Sequence, residues 1–310
     1  MRLVFCGTPN FAVPTLQAVL AAGHEVALVL SQPDRAVGRN AIIEPTPVKK
    51  TALANGLPMT QPEKLKNNLE LRTQLEAIAP DAILIVAYGR IIPKWMLDLP
   101  RYGNLNLHGS LLPRWRGAAP IQWSIAAGDT LTGVTTMRID AGLDTGDMLL
   151  KRELPIGPHT TSADIFATLA PIGAELMVET LRRLEANTIT PQKQNNAEAT
   201  LAPLLTRDDG RIDFTQPAQT IYNRFRGFQP WPGAFATLRG KKLILHAMHL
   251  AENLSNHLPG ALFLCNGYLT ASCGNHTAIV LDELQLEGKK RISAEEFLRG
   301  FKIEEGERLV

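Results

Sequence analysis

Over its first 187 residues the chain alternates short, continuously apolar runs with helix-spaced segments, and no other feature restricts its fold so strongly. Residues 3–6 form an apolar run closed by Gly7, and residues 11–22 then follow helical spacing until Gly23. Residues 26–30 and 82–88 are unbroken apolar runs, the pattern of strands covered on both faces. Further strands are predicted at 105–107, 134–139 and 148–154, with helices at 48–55, 69–78, 118–126 and 162–184. Strands and helices in this alternation dictate an α/β domain with a doubly wound, mostly parallel sheet. Ligands of such sheets sit at the carboxyl ends of the strands.

The pattern then changes. Residues 188–207 are polar and lack periodicity, as in a linker, so the predicted division is 1–187, a 188–207 linker, and 208–310. The last part has short apolar stretches at 234–238, 243–248, 260–263, 268–271 and 277–281, punctuated by Gly, Pro and Asn. That rhythm predicts a small all-β domain, a barrel, flanked by helices at 218–225 and 294–298. Charge is uneven here. Residues 188–242 hold eight Lys or Arg against four Asp or Glu, and residues 243–310 hold six against nine. A solvated face and a surface for an anionic partner both fit that bias.

Composition removes several classes. The formal charge is only +2, which excludes a polycation or an acidic tail. The three cysteines, Cys6, Cys265 and Cys273, form no CxxC or Cys/His cluster, so a disulfide framework or structural zinc is not expected and a reducing cytoplasm fits. The longest apolar run, 82–88, falls far short of the roughly 18 residues needed to span a bilayer. The chain opens directly on a strand-like segment, unlike a signal peptide.

The chemistry concentrates in Asn104-Leu-Asn-Leu-His-Gly-Ser-Leu-Leu-Pro113. Side chains alternate along a strand, so Asn106 and His108 emerge on one face, about 7 Å apart. An amide can donate to a developing oxyanion, and an imidazole can exchange a proton near neutral pH. Alone the pair is weak evidence, since a histidine near a strand end is more often structural than catalytic. The loop 110–117 then feeds a helix start, whose free N–H groups suit an anion or polar heterocycle. After strand 134–139 comes Asp140-Ala-Gly-Leu-Asp-Thr-Gly-Asp147, a tight loop without the closing Glu of an EF-hand. It reads as a turn with solvated acids, or as a source of a carboxylate for His108. The chain has no GxxxxGK[ST], GxGxxG, GxSxG or HExxH, and nothing nominates a covalent nucleophile.

Asn106-Leu-His108 with Ser110-Leu-Leu-Pro113, and Asp144 within Gly-Leu-Asp-Thr-Gly-Asp, resembles the formyltransferases that use 10-formyltetrahydrofolate. The longer run 110–122, the opening 4–14, Ser31-Gln-Pro-Asp-Arg35, Arg211-Ile-Asp-Phe214 and Phe228-Gln-Pro-Trp-Pro-Gly233 resemble the branch whose acceptor is methionyl initiator tRNA. The resemblance spans essentially the whole chain. It implies a Rossmann-like catalytic domain followed by a small OB-like β-barrel that helps hold the tRNA. It implies Asn106, His108 and Asp144 as catalytic residues. Ser110, Leu111, Leu112 and Pro113 would line the folate site, with Gly89, Arg90, Ile91, Ile92 and Asp140 gripping the pterin. No metal is required.

Phosphate contacts are expected from Arg35, Arg39, Arg207, Arg211, Lys241 and Lys242, in a cytoplasmic monomer. Two departures from the family pattern stand out: Gly38-Arg39 is followed by Asn40-Ala-Ile-Ile-Glu44 in place of the usual lysines, and Trp123 stands where Arg is common. Three rival readings remain: a sugar-amine formyltransferase with the same donor, a hydrolase releasing formate, and a nucleic-acid-binding module on a degenerate enzyme fold.

Overall fold

The computed structural model describes residues 1–37, 42–252 and 254–310. In chain order the first elements are β1 (Arg2–Gly7), α1 (Val13–Ala21), β2 (Glu25–Leu30), β3 (Arg35–Val37), β4 (Ile42–Glu44), α2 (Pro47–Ala54) and β5 (Met59–Thr60). Next come α3 (Leu69–Ile78), β6 (Ala82–Val86), α4 (Lys94–Leu97), β7 (Asn104–His108), β8 (Arg116–Gly117) and α5 (Pro120–Ala126). Then follow β9 (Leu131–Arg138), β10 (Met148–Pro155), α6 (Ser162–Glu185) and β11 (Leu201–Ala202). The chain divides into two compact units. One takes in Met1–Pro120, Leu131–Pro155 and Ile165–Pro203; the other takes in Ile121–Thr130, Ile156–Asp164 and Leu204–Val310.

The first unit is built on a seven-stranded sheet in the order β10-β9-β7-β6-β1-β2-β5. The five strands from β5 to β7 are parallel, as the apolar runs predicted. β9 then runs antiparallel to β7, and β10 antiparallel to β9. β6 is buried at every position because helices cover both faces. Val4, Cys6, Leu28, Leu30, Ile83 and Ile85 pack with Leu71, Leu75 and Met96 into one core. Each large side chain so buried contributes about 1.5–3 kcal/mol. Helix starts are set locally: Thr46 Oγ1 accepts from Lys49 N at 3.2 Å and Asn68 Oδ1 from Leu71 N at 3.0 Å, capping α2 and α3. On the other face a Cβ at Gly173 would stand 2.6 Å from Leu107, so glycine lets α6 lie against β7.

The second unit carries α7 (Ala218–Gly227), β12 (Ala234–Leu238), β13 (Lys241–Leu250), β14 (Leu262–Cys265), β15 (Tyr268–Ser272), β16 (Ala278–Leu286), β17 (Ile292–Ser293) and α8 (Ala294–Gly300). Its strands pair antiparallel in the order β12-β13-β16-β15-β14, with β17 on β16. The expected barrel is not closed by its strands: among the described residues no pairing joins β12 to β14. The end of the chain bonds to both edges instead. Val310 N donates to Thr237 O at 3.0 Å, while Leu309 N donates to Gly260 O and Leu262 N to Glu307 O, each at 2.8 Å. Leu309 is buried in the core with Leu238, Leu262 and Phe297.

Candidate active site

β7 sorts its side chains by parity. Leu107 turns toward α6, while Asn104, Asn106 and His108 share the other face. Asn104 Nδ2 is committed to the carbonyls of Met96 and Leu97, at 2.9 and 3.1 Å. Asn106 is half-buried, and its amide makes no hydrogen bond among the described residues. His108 is only 5 % exposed. Its Nε2 lies 2.8 Å from Trp115 O, and since a carbonyl can only accept, Nε2 is the donor. Nδ1 is left facing Asp144 Oδ2 at 3.7 Å.

Asp144 reaches that position by an unexpected route. Because β9 is antiparallel to β7, its carboxyl end lies beside the start of β7, with Leu105 opposite Arg138 and Ile139 N donating to Asn104 O at 2.8 Å. The carboxyl-edge rule therefore does not place this loop; residues 139–147 fold back to reach His108. A Cβ at Gly146 would stand 1.9 Å from Arg138 O, so only glycine fits the return. Asp144 itself takes φ +50°, and its Oδ2 accepts from Gly117 N at 2.8 Å. Gly117 in turn has φ +121°. Asp140 stays exposed, its Oδ1 accepting from Gly142 N at 2.9 Å and Thr145 Oγ1 at 2.7 Å.

The loop after β7 hangs on one hydroxyl. Thr135 Oγ1 donates to Ser110 O at 2.7 Å and accepts from Leu112 N at 3.2 Å. Leu112 is buried against Met137 and Met148, and its peptide bond to Pro113 is cis. Leu111, half-buried, approaches Gly133. Lys151 Nζ donates to Leu112 O, and burial pulls its ammonium below the ordinary lysine range. Beyond β6, Gly89 (φ +71°) accepts from Gln32 Nε2 through its carbonyl at 3.3 Å. Arg90 Nε is buried without a partner, Ile91 is 93 % exposed, and Ile92 packs on the core. Thr135 and Lys151 escaped the sequence reading because nothing distinguishes them from other strand residues before the β7–β9 register is known.

The cations are spread over both units. Arg35 is exposed, donates to Gln32 Oε1 at 3.3 Å, and lines a cavity of about 690 Å³ with Glu44 and Lys50. Arg207, Arg211, Lys241 and Lys242 are exposed in the second unit, with Lys242 Nζ 3.7 Å above the Phe235 ring. Arg39 lies outside the described residues. Trp123 meets Phe228 edge-on at 5.3 Å, with Arg224 over both rings. The described residues contain no group of three or more His, Cys, Asp or Glu able to hold a metal ion.

The loop expected to offer free N–H groups uses them internally: Leu112 N on Thr135, Trp115 N and Arg116 N on Thr200, Gly117 N on Asp144 and Ala118 N on Ala202 O. A Rossmann-like sheet bringing an amide, an imidazole and a carboxylate together fits a group-transfer enzyme. The chain belongs to the formyl transferase family: residues 1–181 match the formyl transferase family model and residues 204–302 the formyl transferase C-terminal domain. Over 300 residues it is 65% identical to the methionyl-tRNA formyltransferase of Acidobacterium capsulatum, covering 97% of this chain and 96% of that one. It is 57% identical to the Koribacter versatilis protein of the same name, covering 100% and 98%. Among solved structures it resembles WlaRD, a sugar 3N-formyl transferase, with a TM-score of 0.68 at 19% identity over 94% of this chain and 99% of that one. That likeness is one of fold.

Proposed function

We propose that this chain transfers the formyl group of 10-formyltetrahydrofolate to the α-amino group of methionyl initiator tRNA, giving N-formylmethionyl-tRNA for translation initiation. The reading is carried by the His108–Asp144 pair beside the unpartnered Asn106 amide, in a chain up to 65% identical to curated relatives named for this reaction. The sugar-amine alternative has only likeness of fold behind it, at 19% identity.

The folate supplies the formyl carbon on N10. The residues present fit such a co-substrate: the Asn106 amide and the buried Arg90 Nε both lack partners among the described residues. Ser110, Leu111, Leu112 and Pro113 line the folate site, and the backbone of Gly89, Arg90, Ile91 and Ile92 with the loop around Asp140 grips the pterin. The Asn106 amide donates to the oxyanion that develops as the amine adds, worth about 3–4 kcal/mol when fully engaged. Protonated His108, its Nε2 held by Trp115 O, stabilises the oxyanion through charge. Asp144 balances the imidazolium charge and fixes the ring, and the pair passes a proton toward the departing nitrogen.

Arg35, Arg39, Arg207, Arg211, Lys241 and Lys242 meet tRNA phosphates, and the antiparallel second unit, read as an OB-like barrel, serves that contact. The enzyme works as a monomer in the cytoplasm, where its tRNA is charged. Among the described residues no helix is long and apolar enough to cross a membrane. The test is formylation by purified protein of initiator methionyl-tRNA, elongator methionyl-tRNA and a nucleotide-linked amino sugar. Formylation of the initiator species is expected; preference for the sugar, or formate release without any acceptor, overturns the reading.

A further inference from the structure

The polar stretch after α6 is tied to the candidate site at several points, and Gln194 is the centre of them. Its Oε1 accepts from Arg116 Nε at 2.9 Å. A guanidinium has no acceptor, so this bond sets which way the amide faces and commits Nε2 to acceptors on its other side. Those acceptors are Asp144 O at 2.7 Å and Gly146 O at 2.8 Å. Arg116 is buried and also donates to Asn196 Oδ1 at 2.9 Å. Thr200 holds the neighbouring backbone, accepting from Trp115 N through its hydroxyl and from Arg116 N through its carbonyl, each at 2.9 Å. β11 then pairs with β8.

The same short segment thus supports both halves of the pair: Trp115 O holds His108, and Gly117 N holds the Asp144 carboxylate. Asp144 needs such support. An aspartate at φ +50° is tolerated but not preferred, and it persists where surrounding bonds fix it.

We infer that Gln194 is a positioning residue for formyl transfer, holding Asp144 at His108 through the Asp144 and Gly146 carbonyls while Arg116 fixes the orientation of its amide. The inference rests on the catalytic reading of Asp144. It separates two functions that one amide performs. Gln194→Glu keeps an acceptor for Arg116 but turns an oxygen toward two carbonyl oxygens. Gln194→Met keeps the side-chain length and removes both sets of bonds.

The experiment measures kcat, KM for each substrate and the thermal midpoint for both variants, alone and with Asp144→Asn. A turnover loss of about tenfold or more is expected in each, from sub-ångström misplacement of the carboxylate, with KM within about twofold. Glutamate should recover only the part of the thermal midpoint that the Arg116 bond supplies, yet leave turnover low. In the Asp144→Asn background the turnover loss should largely vanish, because the group being positioned is already disabled. Wild-type turnover in Gln194→Glu, or an undiminished loss in the Asp144→Asn background, overturns the inference. Wild-type turnover in Asp144→Asn alone instead overturns the catalytic reading beneath it.

Discussion

Asp144 Oδ2 lies 3.7 Å from His108 Nδ1, an ion-pair separation rather than a hydrogen bond, while the same oxygen accepts from Gly117 N at 2.8 Å. The carboxylate is thus anchored by backbone and faces the imidazole through charge. Asp144→Asn can keep the Gly117 bond through its amide oxygen and loses only the charge. Turnover should fall about a hundredfold, with little change in thermal midpoint. Single-turnover formylation and a melting curve on the same preparation check this.

Thr135→Val preserves shape but strands two buried backbone groups, Leu112 N and Ser110 O. Each unsatisfied group costs about 1–3 kcal/mol. The thermal midpoint should drop. Because the released segment is the proposed folate wall, KM for the folate should rise more than kcat falls. Unchanged folate KM would detach residues 110–113 from that role.

How much of this was legible beforehand differs from element to element. β1, β2 and β6 stood out because their apolar runs are unbroken and too short for a buried helix, which leaves a strand covered on both faces. The shared face of Asn106 and His108 followed from strand alternation alone. The reversal of β9 did not, since strand direction depends on which edge accepts it, and the fold-back that delivers Asp144 depends on that reversal. Gln194 was hidden for a related reason: its partners lie 78 positions back, at Arg116, and 50 back, at Asp144. In the second unit the turn rhythm marked the strands, but not that the segment Glu307–Val310 bonds to both edges.

Asp34 anchors the base of the β3–β4 hairpin. Its carboxylate accepts from Lys49 Nζ at 2.5 Å and Gln61 Nε2 at 2.6 Å, and these bonds, with Thr46 N, hold it below the ordinary aspartate value of 3.8. A depressed carboxylate stabilises the fold above its unfolded pKa and loses that contribution as pH falls through the folded value. Asp34→Asn should therefore lower the thermal midpoint at neutral pH. The gap to wild type should narrow below about pH 3.8, in melting curves taken across that range.

Polyanion binding releases counterions, so KM for tRNA should climb steeply with salt. Lys241→Ala, an exposed position, should weaken binding and reduce the log–log salt slope by about one unit. A slope identical to wild type would show that Lys241 faces solvent only.

The most direct measurement is single-turnover formylation of prebound initiator methionyl-tRNA by wild type, Asn106→Ala and His108→Ala. Each substitution removes a group that stabilises the oxyanion, Asn106 by its hydrogen bond and His108 by its charge, so each rate should fall about a hundredfold or more while tRNA affinity barely moves. A normal rate from bound tRNA, with the whole defect in affinity, would contradict the account.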